Sequence, residues 1–199
     1  MIAEANGLLS IEDKSAMYLG NGWTSLSESQ EDLIKIKHQL TMTTGLDYEV
    51  DNLNCTEPNC LTYKNPPGTE WFYHNASYTL LTDIIENASQ TSYNTFSDQN
   101  IEFKIGMNGN WIKSNYNTIY WSTARDMARF GLLILNQGTW KEDVILKDMN
   151  YFSNMTNTSQ ELNESYGYLW WLNGKNSFIL PGFTTPVNSS LASNAPQDL

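Results

Sequence analysis

The sequence is short of the residue types that most often announce a function. Only 11 of 199 residues are Lys or Arg against 22 Asp or Glu, a formal net charge of −11. That balance repels nucleic-acid phosphates and anionic lipid surfaces, and no local basic patch offsets it, so no nucleic-acid partner is expected. Lys35 and Lys37, the one close lysine pair, alternate with Ile34 and Ile36 and read as a solvated face beside a buried one. No apolar run approaches the roughly 20 residues that span a bilayer, and residues 1–7 lack both a basic n-region and a long apolar h-region. No membrane-spanning segment is expected in this chain. Its two histidines, His38 and His74, have no ligand spacing to its two cysteines, which argues against a zinc site. Gly-x-Ser-x-Gly, His-Glu-x-x-His and phosphate-loop patterns are missing, and no lysine has a serine three residues before it.

What is present suits one globular domain, or most of one. Apolar residues make up 40% and charged residues 17% of the chain, well away from the composition of disordered segments. Cys55 and Cys60 lie in Asn-Cys-Thr-Glu-Pro-Asn-Cys, whose Pro and Asn favour a tight turn. Such a turn can bring the two Cα atoms within disulfide range, so a disulfide is preferred over a metal site, and with it a periplasmic or secreted setting.

The apolar spacing predicts a helix ending near Gly7, an internal-looking start, followed by loop over 11–30. A helix or short extended segment then carries Leu33, Ile34 and Ile36, with Gly45 as its stop. Residues 47–75, with Pro58, Pro66, Pro67 and Gly68, read as irregular surface structure. Leu80, Leu81, Ile84, Ile85 and Ala88 predict an amphipathic helix over 77–87, and a weaker one is expected over 93–101. Residues 111–121 alternate weakly, as a short strand or extended loop. Thr123 and Asp126 mark the start of a helix over 124–136 that Gly138 follows. Its Met127, Gly131, Leu132 and Leu135 form the expected inward stripe, although Leu132 and Leu135 would stand partly exposed if the sheet they cover lay outside this chain. Residues 166–171 read as one strand, and 182–199 as a loop or tail.

The most informative stretch is Pro67-Gly68-Thr69-Glu70-Trp71-Phe72-Tyr73-His74-Asn75. It resembles the Pro-Gly-x(n)-Tyr-x-Asn element of class C beta-lactamases, D-alanyl-D-alanine carboxypeptidases and related esterases. Three further segments agree in order. Residues 36–46 resemble the family's Ile-x-x-Leu-Leu-Thr-His-Thr-Ser-Gly-Leu, with Met42 where a His is common; residues 104–107 resemble Pro-Leu-Gly-Met; and residues 122–130 resemble Ser-Thr-x-x-Asp-Leu-Ala-Arg-Phe. The resemblance covers about residues 1–172, and aminohexanoate-oligomer hydrolases and bacterial esterases of the superfamily look at least as close as true lactamases.

That resemblance implies an α+β fold of the beta-lactamase/transpeptidase type, an antiparallel sheet flanked by helices, of which this chain holds chiefly the helical region as a partial domain over 1–199. It implies a serine hydrolase acting on a small-molecule amide or ester through an acyl-enzyme, with no cofactor and no metal. Tyr73 and Asn75 are the catalytic candidates. A phenol with an unperturbed pKa of about 10 becomes a useful base only beside cationic groups, and the family supplies that charge from a lysine. Asn75 offers donors and an acceptor, suited to holding that lysine and a substrate amide. If the segment is extended, residues two apart project to one side, so both side chains would face one cleft and His74 would point away in a structural role. His38 is expected to be packed and hydrogen-bonded, and Glu70, Trp71, Phe72, Trp170 and Trp171 to line or support the cleft. The family nucleophile, in Ser-x-x-Lys, is expected N-terminal to Met1, and the Lys-Thr-Gly or His-x-Gly strand beyond Leu199. The rival class is a binding or interaction protein that keeps the scaffold without catalysis.

Overall fold

The computed structural model describes residues 1–195. Short helices dominate, and the strands form two small antiparallel hairpins, an α+β architecture as expected. Helix α1 (Ile2–Ala5) runs into Gly7. The expected loop over 11–30 contains two further helices, α2 (Ala16–Leu19) and α3 (Glu28–Glu31), each a single turn and too short to print an apolar period. What fixes α3 is local polar chemistry: the Ser27 N–H donates to Gln30 Oε1 at 3.3 Å. The Glu31 carboxylate, almost fully buried, accepts from Gly22 N–H, Thr24 N–H and Thr24 Oγ1. A buried charge persists only when its lone pairs are filled in this way.

Helix α4 (Ile36–Leu40) stops five residues before the glycine expected to end it, at Thr41 and the left-handed Met42. Gly45 serves a different purpose. Its carbonyl accepts the N–H groups of both Lys64 and Asn65, and any Cβ there would collide with the Asn65 carbonyl. The strands of irregular chain on either side are thereby pinned together, with Leu46 and Tyr63 bridged. The disulfide joins Cys55 to Cys60 with Cα atoms 6.0 Å apart, around a 3-10 turn at Pro58–Cys60.

The helix read over 77–87 is two abutting helices, α5 (Asn75–Thr79) and α6 (Leu81–Ser89), joined at Leu80. Leu80 and Ile84 are buried, as their spacing implied. Ile34, Leu46, Leu61, Ala76 and Leu80 share one core cluster, while Ile84 packs with Ile36, Leu40, Tyr151 and Tyr168 in a second. Helix α7 (Tyr93–Ser97) continues through a π-helical turn at Asp98–Glu102 into α8 (Phe103–Ile105), longer than the helix expected. The weakly alternating stretch is a hairpin rather than one strand, β1 (Asn110–Ser114) against β2 (Asn117–Trp121), turning where Asn115 adopts a left-handed conformation.

Helix α9 (Ala124–Leu135) begins as read, with Thr123 Oγ1 accepting from Asp126 N–H at 3.2 Å. Its expected inward stripe faces outward, with the exposure anticipated at Leu132 and Leu135. Met127, Leu132 and Leu135 are 47%, 55% and 81% exposed, whereas Leu133 is fully buried against Ile105, Met107, Ile145 and Leu146. The helix is apolar on two sides, and the core takes the side that Leu133 and Asp126 occupy. A short hairpin, β3 (Thr139–Trp140) with β4 (Asp143–Val144), and helix α10 (Met149–Thr156) complete the regular elements. Residues 166–171 form a tight turn closed by a Tyr166–Trp171 bridge around a left-handed Leu169, not a strand. Residues 182–195 are irregular apart from a bridge at Val187; the rest of the expected tail lies outside the described residues. Among the described residues no helix is long and apolar enough to cross a membrane.

Candidate functional site

The Pro-Gly-to-Asn75 stretch is laid against the chain that leaves α4. Gly68 N–H donates to Thr43 O at 2.8 Å and Phe72 N–H to Met42 O at 3.0 Å, so residues 68–72 run alongside residues 42–43. The Pro66 carbonyl accepts from the N–H and the hydroxyl of Thr69, which fixes the turn that starts the run. From here the side chains divide. Trp71 is buried, edge-on to Tyr166 and Trp171, and Phe72 stacks on Tyr48 at 4.0 Å between ring centroids. Glu70 accepts from the Tyr48 hydroxyl at 3.2 Å. These three support the site, as expected, and Trp171 joins them; Trp170 lies away, beside Phe130.

Tyr73 is half-buried in an aromatic box. Its ring stacks on Trp171 with centroids 5.8 Å apart and planes 18° apart, meets Tyr166 edge-on at 6.2 Å and tilts against Tyr78 at 6.0 Å. Burial, with a smaller contribution from Tyr78, raises the Tyr73 pKa above that of a free phenol. In these surroundings the hydroxyl is a proton carrier, not a phenolate, and serving as a base requires a cation placed against it.

His74, expected to point away from the cleft, is buried in the interior. It is 2% exposed, its Nε2 lies 3.2 Å from Asp47 O, and burial lowers its pKa. His38 is packed and half-buried, its Nδ1 accepting from Lys35 N–H at 3.1 Å; burial, and after it Lys35, lowers its pKa. Both histidines are structural in this geometry.

Asn75 departs from the extended arrangement. His74 caps α5 and Asn75 is the first helical residue, so the alternation of a strand does not govern where its carboxamide goes. Asn75 Nδ2 donates to Asn54 Oδ1 at 2.7 Å. Asn54 Oδ1 also accepts from Asn117 Nδ2 at 3.3 Å, and Asn117 Oδ1 accepts from Thr79 Oγ1 at 3.1 Å. Tyr73 and Asn75 therefore engage different neighbours, an aromatic box and an amide network. Beside that network opens a cleft of about 570 Å³, lined by Asn52, Asn54, Ser114, Asn115, Asn117 and Ile119 among others. Sequence reasoning missed Asn54, Asn117 and Tyr166. Nothing local singles them out, because they meet the motif only through the tertiary fold.

Comparison with known proteins bears on the fold and the family. The family model described as Beta-lactamase matches residues 1–184. Among solved structures, the chain is similar to a Bacillus anthracis protein described as a 6-aminohexanoate-dimer hydrolase, at 20% identity and a TM-score of 0.66, over 91% of this chain and 57% of that one. It is similar to the octameric penicillin-binding protein homologue from Pyrococcus abyssi, at 17% identity and a TM-score of 0.57, over 84% of this chain and 49% of that one. It is likewise similar to a beta-lactamase/D-alanine carboxypeptidase from Yersinia pestis complexed with citrate, at 14% identity and a TM-score of 0.60, over 92% of this chain and 63% of that one. The chain thus spans between about half and two thirds of the length of these neighbours. No curated protein matches it.

Proposed function

The chain belongs to the beta-lactamase family, and from that premise we propose that the complete protein is a serine hydrolase that opens amide or ester bonds through an acyl-enzyme. The observation that carries the reading is the state of the Tyr73-His74-Asn75 element. Its middle residue is locked into the interior, while the two residues that the family motif makes functional remain partly exposed polar groups. In the proposed reaction a serine hydroxyl attacks the carbonyl carbon and passes its proton to Tyr73. The leaving group departs with that proton, and water then releases the acyl group by the same path in reverse.

Tyr73 can take the serine proton only as a phenolate, and burial in the aromatic box works against that form. A lysine ammonium beside the hydroxyl supplies the missing stabilisation. The reading therefore requires the Ser-x-x-Lys element, expected N-terminal to Met1, to bring both nucleophile and cation to Tyr73. Asn75 would hold the lysine and a substrate amide, and the oxyanion donors would come from the expected sheet-edge strand. Acyl transfer of this kind calls for no metal or organic cofactor. The names of the neighbours denote cleavage of lactam, peptide and aminohexanoate amides, so small amides are the first substrates to try. The Cys55–Cys60 disulfide supports a periplasmic or secreted location.

A fluorescent fluorophosphonate probe tests the reading. The complete protein should label once, on a serine outside residues 1–199, and this chain alone should not label. Tyr73→Phe in the complete protein should lower turnover at least about a hundredfold, the loss typical of a missing general base, with an unchanged melting temperature. Stoichiometric labelling of a serine within residues 1–199, or full turnover by the Phe variant, would overturn it. A complete protein that never labels would favour the scaffold-retaining binding protein.

A further inference from the structure

Trp171 reaches the motif from the far part of the chain, and the turn that carries it is held on several sides. Within residues 165–172, Gly167 N–H donates to Trp170 O at 2.8 Å and Leu172 N–H returns to Ser165 O at 2.9 Å. Two helices fix this turn. Leu169 N–H donates to Leu40 O at 3.0 Å, at the end of α4, and Gly167 lies so close to α10 that any Cβ would collide with the Met155 carbonyl. A buried carboxamide completes the support: Asn163 Oδ1 accepts from Ser165 N–H at 3.3 Å and from Ile179 N–H at 3.2 Å, while its Nδ2 donates to Ile179 O at 3.2 Å. All three partners are backbone groups of known polarity, so this carboxamide has one satisfied orientation.

Tyr73 is held in a different way. Among the described residues no group is hydrogen-bonded to its hydroxyl, so the direction of the phenol is set by ring packing. The three rings around it are not equivalent. Tyr166 meets it edge-on and Tyr78 tilts against it at 55°; Trp171 lies face to face with it in an offset stack, planes 18° apart. A face-to-face neighbour stops the phenol along the normal to its ring and so limits where the hydroxyl at the ring's tip can lie. Trp171 is itself edge-on to Trp71 and Tyr166, which leaves its indole little freedom to follow a moving partner.

We propose that Trp171 is a positioning residue for Tyr73: its indole face, held by the turn beneath it, sets the direction of the phenol and thereby the rate at which the phenol moves protons. This rests on the reading of Tyr73 as the proton carrier. No bond is made or broken at the indole; its contribution is geometry. The same contact helps to keep the phenol half-buried, in line with a pKa above that of free tyrosine. Because Trp171 is only half-buried, it can be replaced without emptying a core site.

Two measurements decide it. With 13C-labelled tyrosine in the chain, and Tyr73→Phe to identify the signal, the ring protons of Tyr73 should resonate upfield of free tyrosine, displaced by the indole face. Trp171→Ala should return them toward the free position, and Trp171→Phe, which keeps a ring face, should leave them displaced. Should the Ala variant fail to fold, Trp171→Leu fills part of the space without a ring and gives the same reading. Tyr73 resonances unchanged in a folded Ala or Leu variant would overturn the proposal.

In the complete protein, with p-nitrophenyl butyrate and a chromogenic cephalosporin as substrates, Trp171→Ala should lower kcat about tenfold, less than the loss of the phenol itself, and leave KM near its parent value. Trp171→Phe should recover most of the rate. Because the effect passes through Tyr73, adding Trp171→Ala to Tyr73→Phe should cost nothing further. Equal losses in both backgrounds, or a loss confined to KM, would show that the indole acts on its own and would overturn the positioning role. If Tyr73→Phe is itself silent, the assignment of Tyr73 to the reaction falls, while the resonance test still decides whether Trp171 sets its direction.

Discussion

Helices α6 and α9 carry the same kind of apolar period and meet opposite fates. In α6 the period is answered: Ile84 is fully buried, and its neighbour Leu80 is closed into the core that also holds Ile34 and Leu61. In α9 only one of two apolar sides is answered. Leu133 is as buried as Ile84, yet Leu135, two residues on, is 81% exposed. A period therefore states that a face wants a partner; it does not say which of two faces finds one. The expected α9 stripe of Met127, Gly131, Leu132 and Leu135 is the open side; the buried side is that of Asp126, whose carboxylate ties Ser122, Thr123 and Arg129 to the first turn.

The contrast can be broken at its strongest point first. Ile84→Ala should cost about 3 kcal/mol, within the range for emptying a packed aliphatic site, read from denaturant unfolding. A loss below 1 kcal/mol would mean that α6 is no better packed than the open side of α9. The disulfide loop belongs to the answered half as well. Replacing Cys55 and Cys60 together with serine should cost about 2 kcal/mol, since a loop this short restricts the unfolded chain only modestly. Reductant should lower the melting temperature of the parent to that of the serine variant and leave the serine variant unmoved.

A smaller effect is expected at the start of α9. Thr123→Ala removes the hydroxyl that receives Asp126 N–H and should cost about 1 kcal/mol, checked by thermal unfolding against Thr123→Ser as a control that keeps the cap. The smallest change in stability should come from the exposed side. Leu135→Ser should alter the unfolding free energy by less than about 0.5 kcal/mol, while light scattering should register less self-association than in the parent. A large loss of stability there would show that the face is covered, and would erase the contrast with α6.

How much could be read in advance follows from the range over which each signal acts. The motif order, the cap at Thr123 and the disulfide are written within a few neighbouring residues, and the structure carries the cap and the disulfide. The single-turn helices α2 and α3 are set by polar contacts such as those of Glu31, which leave no apolar rhythm. The β1–β2 hairpin turns at Asn115 and Tyr116, without the Asn-Gly or Asp-Gly pair that marks most tight hairpins in sequence. The Asn75–Asn54–Asn117 network lies furthest out of reach: its members are separated by 21 and 63 residues, and in an asparagine-rich chain no single asparagine stands out. The motif and its aromatic supports at Trp71, Phe72 and Trp171 were legible; the amide network around Asn75 was not.

The Asn54–Asn75 hydrogen bond also bears on how the protein should be made. Both asparagines open an Asn-x-Ser/Thr triplet, Asn54-Cys55-Thr56 and Asn75-Ala76-Ser77, the acceptor pattern for N-linked sugar. The atom that would carry the glycan on Asn75 is the Nδ2 now donated to Asn54. In a eukaryotic secretory host, oligosaccharide added to the nascent chain at either position would occupy the space the network needs, and the sequon would be spent before the fold could hide it. Material from such a host should therefore carry a heavier, heterogeneous and misassembled disulfide loop, whereas expression in a bacterial periplasm keeps both side chains bare and still closes the cysteines.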